Sequence, residues 1–134
     1  MSTVLSLPRE IIQQILRQAE AGAPLEVCGL LGRGGQGAFR LYPVENELGS
    51  ATRFRMAPQA MLDAFVEMEK RGETLFAIYH SHPNGPLMPS ETDRLEDAYP
   101  EVVKLIAARQ DGKWHLNGYQ LEAGGYHKLP LMRA

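Results

Sequence analysis

TLFAIYHSHP, the stretch from Thr74 to Pro83, decides the fold of this chain. Its first six residues are apolar, aromatic or β-branched, which is typical of a buried strand. If the strand continues to His82, the side chains of His80 and His82 point to the same face, because side chains alternate along a strand. Their Cα atoms then lie about 6–7 Å apart, and both rings can reach one metal ion at about 2.0–2.1 Å.

The residues after this strand are predicted to bring the carboxylate of Asp93 close to the end of the strand. Pro83 cannot donate to a sheet, so we expect pairing to stop there, and the turn-forming residues 84–89 predict a loop. Ser90 has the character of a helix N-cap, with Asp93 at the third helical position. Taken alone, Ser-x-x-Asp is an ordinary capping pattern. Combined with two histidines on one face, it predicts a three-ligand zinc site whose fourth position is left for water, as in catalytic sites.

The rest of the chain predicts alternating helices and strands. We expect strands near 3–7, 27–32, 38–44, 102–108, 114–121 and 126–131, helices near 8–21, 58–71 and 90–98, and an extended piece near 53–56. The second helix is expected to bury Met61, Leu62, Phe65, Val66 and Met68. This order predicts an α/β fold, with a mixed β-sheet flanked by helices in a single domain that spans residues 1–134.

The histidine motif resembles the signature of the JAMM (MPN+) zinc metalloprotease family. In this chain the motif comprises His80, His82 and Pro83, then six residues, then Ser90 and Asp93. Upstream, LEVCGLLG from Leu25 to Gly32 resembles the family's Glu-x-Cys-Gly-Leu-Leu-x-Gly segment. The resemblance covers residues from about 5 to 114, and it implies a layered sheet between helices.

The resemblance also implies a role for each motif residue. His80, His82 and Asp93 would be the ligands of one zinc ion, Glu26 the general base and Ser90 the group that steadies the oxyanion. Glu26 opens an apolar run, where an unpaired buried carboxylate is costly. From composition alone Glu26 would be interpreted as a solvated acid at a strand start, whereas the motif favours the base.

The lone cysteine and the other two histidines carry weaker signals. Cys28 has no cysteine partner for a disulfide. A nucleophilic Cys28–His80 pair is the less favoured interpretation, and a small buried thiol is the more ordinary one. His115 and His127 fall in the C-terminal strands, away from the cluster, and we expect them to be surface or structural residues.

Composition narrows the classes of function. The chain has 134 residues, 44% of them hydrophobic, which is enough for one core. The net charge of −2 without a basic cluster argues against nucleic acid as the main partner. No apolar run approaches the length of a membrane span. A single cysteine and the lack of a signal peptide predict a reducing, cytoplasmic setting.

The substrate is predicted from the resemblance alone. It implies hydrolysis of the peptide or isopeptide bond after the C-terminal Gly-Gly of a ubiquitin-like protein. The short chain is similar to compact prokaryotic members that act on sulfur-carrier proteins, one activity being release of an amino acid such as cysteine. The polar segment 44–53, which we call the flap, is expected to contact the carrier's tail. A non-catalytic MPN scaffold and a RadC-like, DNA-repair-associated protein remain alternatives, and the oligomeric state stays open.

Overall fold

The histidine strand lies inside a six-stranded sheet of the computed structural model, which describes residues 4–134. The helices are α1 (Arg9–Gly22), α2 (Pro58–Lys70) and α3 (Glu91–Leu95). The strands are β1 (Leu5–Leu7), β2 (Cys28–Arg33), β3 (Phe39–Val44), β4 (Thr74–His82), β5 (Val103–Gln110), β6 (Lys113–Glu122), β7 (Gly125–Leu129) and β8 (Leu131–Arg133). The sheet order is β3-β2-β4-β5-β6-β7, and β1 pairs with β8 separately. Because β4 pairs in parallel with β5 and antiparallel with β2, the sheet is mixed, as predicted.

Helices cover the two faces of the sheet. Helix α1 turns Ile11, Ile12, Ile15 and Ala19 towards one face, where they join a core with Leu31, Tyr79 and Leu105. Helix α2 packs on the other face, in a second cluster that contains Leu30, Met68 and Ile78. The predicted α/β fold class is therefore confirmed. Within the described residues, no helix is long and apolar enough to cross a membrane.

The packing of α2 differs from the sequence prediction. Ala64 and Met68 are buried, whereas Leu62 and Val66 are exposed, so the prediction that these two residues are buried is wrong. Residues separated by three or four positions share a helix face. The stripe that faces the sheet therefore runs through 61, 64, 65 and 68, and Leu62 and Val66 lie beside it.

Two element boundaries were also wrong. Helix α3 ends at Leu95 and not near residue 98 as predicted, and Asp97 lies outside the helix. The Asp97 carboxylate accepts a hydrogen bond from the Tyr99 amide at 3.0 Å and lies 3.0 Å from the buried Lys104 amine. The last predicted strand divides at Pro130, and β8 pairs in parallel with β1. The sequence predicts the first strand over residues 3–7, and Thr3 lies outside the described residues.

The packing of the Tyr79 side chain over β2 requires glycine at position 29. Gly29 pairs with Tyr79 in the antiparallel register, and a Cβ atom there would clash with the Tyr79 ring. Tyr79 is completely buried, and its hydroxyl donates to the Gln18 side chain on α1. The Tyr79 ring therefore fills the space that a side chain at position 29 would need.

Candidate metal centre

Strand β4 places both histidines on the α2 face of the sheet. The strand continues through His82, as the sequence predicts, and β5 pairs with it as far as His82. The ring centroids of His80 and His82 lie 4.8 Å apart, and both residues are buried. Since β4 pairs with β5 through His82 and with β2 as far as His80, the two rings project from a hydrogen-bonded strand and not from a loop.

Asp93 meets the two histidines at one point. Its Oδ2 lies 3.0 Å from His80 Nε2 and 3.1 Å from His82 Nε2, and the two Nε2 atoms are 3.0 Å apart. The Ser90 amide also donates to this oxygen at 2.9 Å, while Ser90 Oγ accepts from the Asp93 amide at 3.0 Å. This reciprocal capping box holds the carboxylate on the first turn of α3. The structure thus brings together the three residues predicted as ligands.

Ser90 combines a capping role with the position expected from the motif. Its hydroxyl oxygen accepts a hydrogen bond as the N-cap. A hydroxyl can accept and donate together, so this contact leaves its proton free to donate. The capping interpretation and the oxyanion role are therefore compatible.

Glu26 lies beside the histidines on the segment that leads into β2. It is 4% exposed, and its carboxylate has an oxygen within 4.8 Å of the ligand nitrogens of His80 and His82. Its Oε1 is buried without a hydrogen-bond partner among the described residues. Burial raises the pKa of Glu26 to about 7, a shift that the charge of His82 opposes. A buried carboxyl group without its own partner is costly in a merely structural role, so its position suits proton transfer.

The pKa values of the three clustered residues shift in different directions. Burial lowers the pKa of His80 despite the neighbouring Asp93. Burial would also lower the pKa of His82, but hydrogen bonds to Asp93 and the Pro86 carbonyl raise it overall. The pKa of Asp93 falls well below its usual range, because hydrogen bonds from both rings outweigh the effect of burial. Asp93 is therefore an anion at neutral pH.

Further contacts orient the rings, and the sequence did not reveal them. His82 Nδ1 lies 2.7 Å from the Pro86 carbonyl oxygen. A carbonyl can only accept, so Nδ1 carries a proton, and in the neutral ring this tautomer leaves the Nε2 lone pair free to bind a metal ion. Phe54 stacks on His80 at a centroid distance of 4.4 Å and an angle of 23°. Backbone contacts and stacking partners from distant loops have no signature in residue spacing.

A second contact of this kind involves Ser81, which points away from the histidines. Its Oγ accepts from the Val27 amide at 2.8 Å, and its own amide donates to the Val27 carbonyl at 2.9 Å. These two bonds fasten the segment next to Glu26 to the histidine strand. A small residue between two histidines gave no signal of this function.

Cys28 has the surroundings of an inert thiol. It is fully buried, and its Sγ donates to the Val44 carbonyl at 3.3 Å. Burial, helped by the charge of Glu26, raises the pKa of Cys28 to about 12. A nucleophilic cysteine needs a lowered pKa, so these surroundings oppose the Cys28–His80 pair. The two remaining histidines, His115 and His127, are exposed on β6 and β7.

The donor atoms fit a divalent metal ion. Two imidazole nitrogens and a carboxylate oxygen face each other with separations of 3.0–3.1 Å. Tetrahedral coordination with bonds of 2.0–2.1 Å would separate ligand atoms by about 3.3 Å. Glu26, His80 and His82 also form a cluster that could hold a metal ion. The side chains therefore provide a site for a metal ion with a carboxylate beside it.

Comparison with curated proteins finds relatives that are named as proteases. The chain is 37% identical to a probable TtuB-protein conjugate cleaving protease of Thermus thermophilus over 67% of its own length and 61% of that protein, less than two thirds of the relative's length. It is 31% identical to a desampylase of Haloferax volcanii over 84% of this chain and 85% of the relative. It is 27% identical to a CysO-cysteine peptidase of Mycobacterium tuberculosis over 96% of this chain and 90% of that protein.

Solved structures share the architecture. A solution structure of a protein from Desulfitobacterium hafniense superposes with a TM-score of 0.85 at 27% identity, over 98% of this chain and 93% of the other. A JAB1/MPN domain protein from Archaeoglobus fulgidus matches with a TM-score of 0.61 at 20% identity, over 98% of this chain and all of the other. At the lower identity, the similarity establishes the fold alone.

The family is established by the match of a whole-domain model. The model that describes prokaryotic homologs of the JAB domain matches residues 8–119. This range contains both segments that resemble the JAMM pattern and every element from α1 to most of β6. The chain therefore belongs to the prokaryotic JAB family, and the resemblance found in the sequence is confirmed.

Proposed function

We propose that this protein is a zinc-dependent peptidase that cleaves the bond after the C-terminal glycines of a ubiquitin-like or sulfur-carrier protein. The observation that carries the proposal is the meeting of His80, His82 and Asp93 within 3.1 Å, next to the buried carboxylate of Glu26, whose Oε1 has no hydrogen-bond partner among the described residues. The names of the relatives support the substrate class, because they describe a conjugate-cleaving protease, desampylases and a CysO-cysteine peptidase.

In this proposal His80, His82 and Asp93 hold the metal. When bound, zinc supplies Lewis acidity, which makes hydroxide available from water near neutral pH and polarises a carbonyl group. Two nitrogens and one oxygen leave one tetrahedral position for water or substrate, the arrangement of catalytic rather than structural zinc sites. The choice of zinc over another divalent ion rests on this donor set and on family resemblance.

Glu26 is the proposed general base. Its carboxylate takes the proton of the attacking water and delivers it to the leaving amine, so that one group serves both steps. A raised pKa suits this exchange, because a base works best when its pKa lies near the operating pH. Among the described residues Glu26 Oε1 has no hydrogen-bond partner, so this oxygen is available to accept the proton of water.

Ser90 is proposed to donate to the oxygen of the scissile carbonyl as negative charge develops there. The N-cap contact uses the hydroxyl as an acceptor and leaves the proton for this role. Loss of one such donor typically costs about 2.7–4 kcal/mol of transition-state stabilisation. The extended carrier tail is expected to lie along the flap, where backbone hydrogen bonds would bind it as an added strand.

The proposal is tested by hydrolysis of fusions between a small sulfur carrier and a peptide, followed by mass spectrometry. The zinc-loaded protein should release the peptide or amino acid after the carrier's terminal glycine. Glu26→Gln should retain the metal and lose about 10²- to 10⁴-fold in turnover, because only proton transfer is removed. The exposed Glu10→Gln on α1 makes the same chemical change away from the site and serves as the matched control.

Three outcomes would contradict the proposal. Wild-type turnover by Glu26→Gln would remove Glu26 as the base. A purified wild-type protein that takes up no metal would favour the non-catalytic scaffold, and salt-dependent DNA binding would favour the RadC-like alternative. A single domain over residues 1–134 and a reducing, cytoplasmic setting remain predictions.

A further inference from the structure

One asparagine in the flap uses the whole hydrogen-bonding capacity of its side chain. Asn46 Nδ2 donates to the Glu26 carbonyl at 3.0 Å and to the Arg53 carbonyl at 3.1 Å. Its Oδ1 accepts from the Leu48 amide at 3.2 Å and the Arg55 amide at 3.0 Å. A carboxamide offers two donor hydrogens and two acceptor lone pairs, so none is left unused. The bonds to Leu48 and Arg53 lie within the flap, and the bond to Arg55 reaches a residue just after it. The fourth bond connects the flap to the Glu26 carbonyl.

The backbone of Glu26 is held by the flap at both of its polar groups. Its amide donates to the Ser50 carbonyl at 2.8 Å, and its carbonyl accepts from Asn46. The carboxylate oxygen Oε1 has no hydrogen-bond partner within residues 4–134, so the side chain lacks comparable support there. The orientation of this side chain therefore depends on where its main chain is fixed.

The opposite side of the same segment is fixed to the sheet. The adjacent Val27 makes two backbone-directed bonds with Ser81, between the two histidines. Glu26 thus lies between a rigid attachment to β4 and an attachment to the flap. The attachment to β4 uses the side chain of Ser81, and the attachment to the flap uses the side chain of Asn46.

We propose that Asn46 is a positioning residue, which holds Glu26 towards the histidines and couples the base to the flap that receives the substrate tail. This inference rests on the proposed function. Misplacement of a reacting group by about 1 Å can cost about 10²-fold in rate, so a bond to the main chain of the base is expected to affect turnover. Asn46 itself contacts no reacting atom.

Asn46→Asp removes the donor half of the side-chain amide and keeps the acceptor half. The carboxylate keeps the acceptor that binds the Leu48 and Arg55 amides, whereas the donor to the Glu26 and Arg53 carbonyls becomes a repelled oxygen. We expect kcat on a carrier–peptide fusion to fall about tenfold or more, with KM changed less than about threefold. Bound zinc, measured by elemental analysis, should stay equimolar, because no ligand is touched.

Ser50→Ala disturbs the flap without removing the Asn46 bond. Ser50 Oγ accepts from the Thr52 amide at 3.1 Å and the Arg53 amide at 3.2 Å, whereas its backbone bond to Glu26 does not need the side chain. This variant should raise KM about threefold or more and leave kcat within about twofold. Asn117→Asp, on β6, repeats the charge change at a side chain that donates to Tyr119, and should alter neither constant.

The inference is overturned if Asn46→Asp keeps kcat within twofold of wild type, if it loses zinc, or if it and Ser50→Ala change the same constant. Should Asn46→Asp fail to fold, Asn46→Ser carries the test with the same expectation, because a shorter hydroxyl can accept from Leu48 but cannot span to Glu26. Hydrogen exchange gives a readout without turnover. The Glu26 amide donates to the Ser50 carbonyl of the flap, and loss of the Asn46 bond should loosen this contact. The Glu26 amide should therefore exchange faster in Asn46→Asp and in Asn46→Ser than in wild type. A wild-type protein that cleaves no carrier fusion would refute the proposed function, while unchanged exchange of this amide would refute the attachment itself.

Discussion

On one face of strand β4 lie Tyr79 and Ser81, and on the other lie His80 and His82. The first pair is completely buried and bonded to protein groups, Tyr79 to Gln18 and Ser81 to the backbone of Val27. The histidines instead direct nitrogens at one another and at Asp93. Alternation along a single strand therefore separates residues that hold the sheet and α1 together from residues that form the site. Substitutions on the two faces should affect different properties.

The largest effect is expected from removal of a predicted ligand. His82→Ala or Asp93→Ala should reduce zinc affinity by more than about 100-fold, since loss of a partner of a ligand alone typically costs about 10- to 100-fold. Turnover of the carrier fusion should be lost with the metal. Isothermal titration with zinc measures the affinity, and unchanged binding in either variant would exclude that residue as a ligand.

Tyr79→Phe is the matched change on the other face. It removes the hydrogen bond to Gln18 and should lower the free energy of unfolding by about 0.5–1.5 kcal/mol, while zinc affinity and kcat stay near wild type. A drop in zinc affinity with this variant would show that the two faces are not independent.

A purely structural effect, larger on stability than that of Tyr79→Phe, is expected at Gly29. A methyl group there would press into the buried Tyr79 ring, so Gly29→Ala should lower the free energy of unfolding by about 1–3 kcal/mol. Gly35→Ala, in the β2–β3 turn, adds the same group where no atom of the described residues lies within 4 Å, and should change stability by less than about 0.5 kcal/mol. Equal urea midpoints for the two variants would contradict this account of the β2–β4 contact.

The smallest effect concerns the thiol of Cys28. Its pKa is raised to about 12, so the thiolate is scarce at every pH below that value and becomes more abundant only as pH rises towards it. Iodoacetamide should therefore leave the folded protein unmodified at neutral pH and alkylate it in denaturant, as followed by intact mass. Rapid alkylation of the folded protein would restore the thiol as a candidate nucleophile.

The sequence predicted the elements whose cause is local. The apolar run before His80, the turn residues after Pro83 and the capping pattern at Ser90 each act within a few residues, and all three appear where they were expected. Because these neighbours also fix where His80, His82 and Asp93 lie, the convergence of the three side chains could be foreseen from spacing.

The parts that differed depend on tertiary contacts. Helix α3 is shortened by the pairing of Asp97 with Lys104 of β5, and the face that α2 buries is set by how it docks on the sheet. Asn46 and Phe54 reach the site from the chain between β3 and α2, so no short motif contains them. Local patterns could not reveal contacts between elements so far apart in sequence.

The bond from His82 to the Pro86 carbonyl has a consequence for how this family varies. A main-chain oxygen is present whatever residue occupies the position, so the contact constrains the path of the loop and not the letter in the sequence. Relatives could exchange the side chain there and still lock the same imidazole tautomer. The residue type at position 86 would then vary among relatives while the hydrogen bond to the imidazole stayed the same. Substitution at this position would therefore be a poor guide to whether a relative has kept its chemistry.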